Sequence, residues 1–415
     1  MTNVERASAF ARDILKQYTP ETQPLSFWIF DIKGVEDAIN RWKTAMPHVK
    51  PCFAVKCCPE PHLVKLLAEL GCGFDCASID EIKEVIKLGC QPDDITFSQT
   101  FKPYNQLIEA DSLGICHTIV DSIEEIDKVA QYAPKMGVML RVKENDLTAG
   151  HVFGDKFGVT DDEIPLCIKE IAKCGLKFDG VHFHVGSNSH NNEIFRLALQ
   201  KARGVVTIAQ EHGLEPYIVD IGGGFSQPAP FEQFASAIED SIAALDFPKN
   251  FIFISEPGRY MASNSFHVVT SLHGKRVRTV EGKKRIEYVC GEGVHGAFGC
   301  CLWFEREMKC FCLDKDKENK ETYDSLIYGP SCNGSDYVAT GHFPEMTPGK
   351  DWLFFPNSGA YTISMASNFN GFESRFSKIY TLPSDDRKSV KIPEDLEKYS
   401  VPALSGRPGE WGVDN

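Results

Sequence analysis

The 415-residue chain lacks any apolar run near the roughly 18 residues that crossing a bilayer takes, so no membrane span is expected. It lacks a C-x-x-C pair. Its 15 cysteines are an odd number and cannot all pair internally. Cys57-Cys58 and Cys300-Cys301 are adjacent, and Cys310 and Cys312 are one residue apart. Neither spacing suits structural zinc. Reduced thiols in a cytoplasmic protein are therefore expected, with no disulfide framework and no metal. It lacks an excess of positive charge: Lys and Arg number 44 against 58 Asp and Glu, a net charge of −14. Nucleic acid is thereby excluded as the main partner, because phosphates need a basic surface. Solenoid repeats, low-complexity tracts, a glycine period and long heptad runs are also missing. The opening Met1-Thr2-Asn3-Val4-Glu5-Arg6 is no charged lead into an apolar core, so no secretory signal is expected. What remains is an ordinary globular composition, 42% hydrophobic and 25% charged.

Eight short, nearly all-apolar runs alternate with helical segments over the first two thirds of the chain. They are Cys52–Lys56, Gly73–Ser78, Ile95–Gln99, His117–Ser122, Gly137–Val142, Gly180–Gly186, Tyr217–Gly222 and Phe251–Gly258. Strands buried on both faces read this way. Between them, Pro61–Leu70 repeats leucine at helical spacing. Asp80–Leu88 offers an Asp cap, and Asp121–Ala130 has Ile123, Ile126 and Val129. The alternation predicts an α/β fold, a (β/α)8 TIM-like barrel, with an open doubly wound sheet as runner-up. Past residue 266 the pattern turns to short strands, His267–Leu272, Arg285–Cys290, Ser325–Tyr328 and Trp352–Phe355, and predicts a C-terminal all-β domain. The predicted domains are 1–31, an N-terminal segment whose Phe27–Phe30 strand can join the β domain; 32–265, the barrel; 266–382, the β domain; and 383–415, a loosely packed tail.

Chemistry in a barrel sits at the C-terminal strand ends. Lys56 ends the first run. Partial desolvation there would make its amine nucleophilic toward a carbonyl cofactor; the plainer reading is a surface lysine. His184 closes Val181-His182-Phe183 and can stack on a flat ring. His182 and His184 form an H-x-H, but no carboxylate motif converges on it, and His182 reads as a core histidine. Asp220-Ile221-Gly222-Gly223-Gly224-Phe225 can cradle a phosphate or be a tight turn. Glu256 can hold a protonated ring nitrogen and Arg259 a phosphate, or the two can form a structural ion pair. An amine, a stacking ring, a phosphate cradle and an acid together are what pyridoxal 5'-phosphate requires.

The segments Phe53-Ala54-Val55-Lys56-Cys57, Gly73-Phe74-Asp75-Cys76-Ala77-Ser78, Lys156-Phe157-Gly158, Phe183-His184-Val185-Gly186-Ser187, Glu256-Pro257-Gly258-Arg259-Tyr260, Gly329-Pro330-Ser331-Cys332, Gly359-Ala360-Tyr361-Thr362 and Phe369-Asn370-Gly371-Phe372 carry a family likeness. With the glycine run, they resemble the eukaryotic-type ornithine decarboxylases, within the alanine-racemase-like class of pyridoxal phosphate enzymes (fold type III). The resemblance implies that Lys56 bonds the cofactor, supported by Asp75 and Glu81. It places His184 on the cofactor ring and Glu256 at its nitrogen. Ser187, Gly222, Gly223, Gly224, Arg259 and Tyr361 would hold the phosphate. Cys332 would come from the partner subunit of a homodimer and return a proton to the substrate carbon, with Phe369 and Tyr361 also lining the substrate site. Lys156 and Asp336 match residues that pair across the family's dimer interface.

Three positions depart from that family. An Asp that binds the substrate's distal ammonium is expected after Cys332, where Asn333 stands. A second distal Asp aligns with Phe304, beside Glu305. An Arg expected shortly before Lys156 is also missing, near His151 and Val152. The resulting expectation is decarboxylation of L-ornithine to putrescine with an altered distal pocket and weak sensitivity to α-difluoromethylornithine. The alternatives are a decarboxylase of lysine, arginine or another basic amino acid, or a non-catalytic regulator of the antizyme-inhibitor kind. Antizyme itself is a doubtful partner, since the corresponding segment from Lys102 to Lys135 has three Lys and six acids.

Overall fold

Eight short apolar runs become eight parallel strands that close on themselves. A computed structural model describes residues 2–144, 146–150, 154–227, 230–303, 307–372 and 378–399. After β1 (Ser26–Asp31) come β2 (Val49–Ala54), β3 (Gly73–Cys76), β4 (Ile95–Phe97), β5 (His117–Val120), β6 (Gly137–Val142), β7 (Phe178–Phe183), β8 (Ile218–Asp220) and β9 (Ile252–Ser255). Strands β2 to β9 pair in order and β9 closes on β2, so the barrel is the architecture and the open sheet is excluded. Their side chains are almost all buried, as a parallel sheet covered on both faces requires.

The intervening helices follow the apolar spacing, with one correction. The helix Ile79–Lys87 is capped by Ser78, not Asp80: Ser78 Oγ accepts the Glu81 N–H at 3.3 Å. Ser122 likewise caps Ile123–Tyr132 through the Glu125 N–H. Serine supplies the oxygen that the first-turn N–H groups need, and Asp80 then lies in the first turn, where a negative charge suits the helix dipole.

The chain divides into two compact units, Ala38–Pro59 with Val64–Met261, which carries the barrel, and Met1–Asp37 with Glu60–Leu63 and Ala262–Asn415. The cuts fall inside the helix Ile32–Ala45 and at 261/262, a few residues from the bounds drawn at 31/32 and 265/266. In the second unit, β10 (Phe266–Val280), β11 (Lys283–Cys290), β12 (Phe311–Cys312), β13 (Thr322–Tyr328), β14 (Tyr337–Pro344) and β15 (Trp352–Phe355) form a sheet in the order β12-β15-β10-β11-β13-β14. β1 pairs antiparallel with β10 and parallel with β16 (Ile379–Leu382), so the N-terminal strand does join the C-terminal sheet. The helix Asn3–Leu15 covers it, packing Ala7, Ala11 and Ile14 on Phe27, Ile29, Phe354 and Tyr380. β14 had no sequence signal because Gly341 interrupts it and Val338-Ala339 is its longest buried run. Of the tail, 383–399 are described and include a 3-10 helix at Glu394–Tyr399.

Beneath the barrel's glycine-rich turn lies an aromatic cluster. Trp42 sits 5.3 Å from both Phe225 and Phe231 and 5.4 Å from Tyr260, and its indole donates to the Val49 carbonyl. This packing fixes Phe225, and with it the end of the turn.

A buried cation fastens the loop after β4. Lys102, with no exposed side-chain surface, donates to the Gln99 and Ile119 carbonyls and lies 3.0 Å from the buried Glu125. Burial pushes its ammonium down to about 8. Replacing Lys102 by methionine leaves two carbonyls without a donor and takes from the buried Glu125 one of its two lysine partners, Lys128 remaining. The variant should lose roughly 3–5 kcal/mol of stability, as removing one partner of a buried pair does. Denaturant unfolding of the cofactor-free chain measures this, and an unchanged midpoint contradicts it.

Candidate active site

The barrel gathers its expected site residues at one rim. Lys56 lies in the 3-10 turn Val55–Cys57 just past β2, and its ammonium pairs with Asp75 of β3. The side chain is 44% exposed, so this lysine is partly desolvated and is also ion-paired. Asp75 is fully buried, and burial and the nearby Glu256 charge raise its carboxyl despite the lysine. Its Oδ1 has no hydrogen-bond partner.

His184 follows β7. The Gly186 N–H donates to its Nδ1, which places the proton of the neutral ring on Nε2. Desolvation pushes the imidazole well below its ordinary range, so the ring is neutral and suited to stack on a flat partner. Ser187, part-buried, follows it. Gly222, Gly223 and Gly224 follow β8 with no room for side chains. A Cβ on Gly222, which has φ +63°, would meet the Phe183 carbonyl at 2.3 Å. One on Gly223 would meet His184 Nε2 at 2.9 Å. Glu256 follows β9, 5% exposed, and Arg259 opens the short helix Arg259–Ala262. Burial alone would raise Glu256, but His182 at 3.2 Å, with Lys56 and His184, outweighs it and holds the carboxyl below its ordinary value. Its Oε1 accepts no hydrogen bond. A buried anion with a vacant acceptor, a bare backbone cradle, a neutral ring and an amine match the chemical needs of pyridoxal phosphate.

Glu81, in the helix after β3, accepts the Ala77 N–H at 2.6 Å. Desolvation pushes its carboxyl up to about 7. Between roughly pH 4.5 and 7 the folded chain keeps a proton that the unfolded chain has released, so stability falls as pH rises through that window. Glu81→Gln should therefore stabilise the cofactor-free chain at pH 8 by roughly 1–3 kcal/mol and have little effect at pH 4.5. Unfolding midpoints at the two pH values check this, and an equal gain at both contradicts it.

The remaining expected residues lie in the sheet unit. Cys332 is exposed, and its N–H donates to Asn370 Oδ1. Asp336, 1% exposed, accepts the Val294 and Ser331 N–H groups and so shapes the loop that carries Cys332. Asn333 faces His295, Nδ2 to Nε2 2.9 Å, and its Oδ1 accepts the Ser335 N–H. The imidazole of His295 lies 4.4 Å from the Phe369 ring. Tyr361 has φ +54°, a left-handed conformation rarely held without a local reason. A cavity of about 260 Å³ adjoins the loop, lined among others by Glu292, His295, Ser331, Asp336 and Phe372. Phe304, with Glu305, His151 and Val152, lies outside the described residues. Lys156 is exposed, its ammonium 5.1 Å from the Phe157 ring.

Sequence reasoning passed over three residues. Arg141, a charge inside the apolar run of β6, is opposite His182 in register and lies over Phe157 at 4.4 Å. His295 had no signal beyond its residue type. His182 was read as a core histidine on which no carboxylates converge. It is indeed buried, at 1% exposure, but Asp220 and Glu256 both converge on it, which corrects the second half of that reading.

A parallel barrel with a lysine past its first strand, a glycine cradle late in the barrel and a buried acid beyond its last strand defines a class, the barrel-type pyridoxal-dependent enzymes. The comparisons narrow it. Residues 32–263 match the pyridoxal binding domain of the pyridoxal-dependent decarboxylases, and 192–359 match their C-terminal sheet domain. The chain belongs to this decarboxylase family, and pyridoxal phosphate is its cofactor. It is 33% identical to a chloroplastic ornithine decarboxylase of Nicotiana glauca, over 87% of this chain and 84% of that one. Among solved structures it is similar to ornithine decarboxylase from Entamoeba histolytica, at 56% identity and TM-score 0.78, covering 92% of this chain and all of the other. It is also similar to the arginine decarboxylase of Paramecium bursaria Chlorella virus, at 32% identity and TM-score 0.85, covering 90% and 100%. The protein is thus a pyridoxal phosphate-dependent decarboxylase of basic amino acids. Among the described residues no helix is long and apolar enough to cross a membrane.

Proposed function

We propose that the protein decarboxylates L-ornithine to putrescine and carbon dioxide in the cytoplasm, as a homodimer whose sites are shared between subunits. The observation that carries the reading is the rim constellation of Lys56, Asp75, His184, the Gly222–Gly224 cradle and Glu256. The likeness to ornithine decarboxylases along most of the chain supports it.

Bound pyridoxal phosphate supplies a conjugated ring that takes up the electron pair left when the substrate carboxylate departs as carbon dioxide. In this reading the chain's residues act around that event. Lys56 holds the cofactor through its amine, with Asp75 orienting the ammonium and Glu81 bracing the same side. His184 packs its neutral ring on the cofactor face. Ser187, Gly222, Gly223, Gly224, Arg259 and Tyr361 grip the phosphate. Glu256 keeps a proton at the ring nitrogen. Cys332 of the partner subunit delivers a proton from Sγ to the substrate carbon, and Lys156 pairs with Asp336 across the interface. The exposure of Cys332, Phe369 and Phe372 on the sheet unit favours a partner covering that face.

The distal pocket favours a second reading, broader specificity toward lysine or arginine. Asn333 puts its amide toward His295 and accepts Ser335 with its oxygen, so the position offers the distal ammonium no charge. A desolvated charge partner for a cation is worth about 2–5 kcal/mol, a factor of roughly 30 or more. Inactivation by α-difluoromethylornithine should therefore be at least roughly 10-fold slower than in the Asn333→Asp variant. Equal inactivation would remove the altered pocket from the account. Specificity is tested by kcat/KM for ornithine, lysine, arginine and diaminopimelate. Ornithine is expected to rank first, and a higher value for any other acid replaces the proposed substrate. Antizyme is a poor partner for the Lys102–Lys135 segment, since Lys102 and Lys128 are both engaged by Glu125.

A further inference from the structure

Three adjacent barrel strands bring His182, Asp220 and Glu256 together. In the parallel register His182 lies opposite Asp220, and Asp220 opposite Ile254. Glu256 is two residues past Ile254, where an extended chain returns to the same face. All three side chains are at most 5% exposed, and they offer polar atoms within 4.8 Å of one another. His182 Nε2 is 3.2 Å from Glu256 Oε2. Asp220 Oδ1 accepts the Gly222 N–H, while Asp220 Oδ2 and Glu256 Oε1 accept nothing. Two buried carboxylates this close cannot both be ionised cheaply, so the pair holds a proton.

We propose that His182 and Asp220 are positioning residues for Glu256: two proton donors behind it that keep its carboxylate ionised and oriented toward the cofactor's ring nitrogen. The inference rests on the reading of Glu256 as that nitrogen's partner. The ring of His182 donates Nε2–H to Oε2. Asp220 carries the shared proton. Burial and the Glu256 charge hold its carboxyl well above the ordinary range, while Glu256 is held below it. The other charged or titratable groups acting on the trio are Cys52, Lys56, Asp75, Arg141 and His184. Without its donors, Glu256 in so buried a setting would take up a proton itself. The ring nitrogen would then lose its ionic partner, and the electron sink would weaken.

The experiment loads His182→Phe, His182→Gln, Asp220→Ala and Glu256→Gln with pyridoxal phosphate labelled with nitrogen-15 in the ring. The nitrogen signal reads ring protonation directly, and kcat and KM are followed against pH. For His182→Phe and Asp220→Ala the signal should move toward the unprotonated ring. kcat at pH 7 should fall roughly 10-fold, and its acid limb should move up by about one pH unit, with KM changed less than about threefold. His182→Gln, which keeps a donor, should recover most of the loss. Asp220→Ala carries the test alone if His182→Phe does not fold. An unchanged signal and acid limb, with only a lower melting temperature, overturns the proposal. So does a His182→Gln enzyme as impaired as His182→Phe, or a stoichiometric divalent metal held by the three groups. If Glu256→Gln also leaves the nitrogen signal unchanged, the assignment of Glu256 itself fails.

Discussion

Replacing Lys56 by alanine is expected to remove both the visible absorbance of the holoenzyme and its carbon dioxide release. The ammonium of Lys56 pairs with Asp75 at the rim, where the glycine cradle and Glu256 also converge. No other lysine among the described residues pairs with a buried acid at that rim: Lys102 donates to the Gln99 and Ile119 carbonyls and pairs with Glu125, and Lys128 pairs with the same acid. A neighbouring amine therefore cannot stand in. Loss of the group that bonds the cofactor should lower kcat by roughly 10⁴-fold or more, as loss of a covalent catalyst does. The phosphate grip remains, so the variant should still bind pyridoxal phosphate, with the spectrum of the free aldehyde. Absorbance spectra and carbon dioxide trapping measure the two effects. Retained turnover in a cofactor-loaded Lys56→Ala enzyme would remove Lys56 from its role.

Glu256→Gln should be nearly as damaging to the rate while sparing binding. The carboxylate is buried and held ionised by its neighbours, so its charge is available where the ring nitrogen needs one. An amide of the same shape keeps the packing and loses the charge. A preorganised charge acting on the transition state is worth roughly 10²–10³ in kcat. KM for ornithine and cofactor affinity should each change less than about tenfold, because the interaction lost is one made mainly as the carboxylate departs. A variant with kcat within threefold of the parent contradicts the assignment.

The barrel was legible because its strands are apolar on both faces and its helices keep their spacing, a pattern that survives without knowledge of neighbours. The sheet unit was read less completely. β14 alternates weakly around Gly341, and its pairing with β13 is long-range information that no local window carries. The cap of the helix Ile79–Lys87 was misplaced by two residues because Ser78 and Asp80 are both plausible caps, and only the geometry selects Ser78. Lys56 was placed at its strand end, but its link to Asp75 came only from the family resemblance, since Asp75 is 19 residues away and becomes a neighbour only through the β2–β3 pairing. His182 illustrates the same limit. Its partners come from two further strands, 38 and 74 residues on, and the register alone sets them beside it. The cysteines were read as reduced thiols; none of the 15 lies in a disulfide, and most are buried. Cys332 is the exposed one, and its proposed role depends on a second subunit.

The most direct measurement of the central claim is the product balance of the holoenzyme acting on L-ornithine in heavy water. The account predicts one carbon dioxide and one putrescine per ornithine, with a single deuterium at the carbon that carried the carboxylate. Carbon dioxide without putrescine, putrescine lacking that deuterium, or no carbon dioxide at all from ornithine would contradict it.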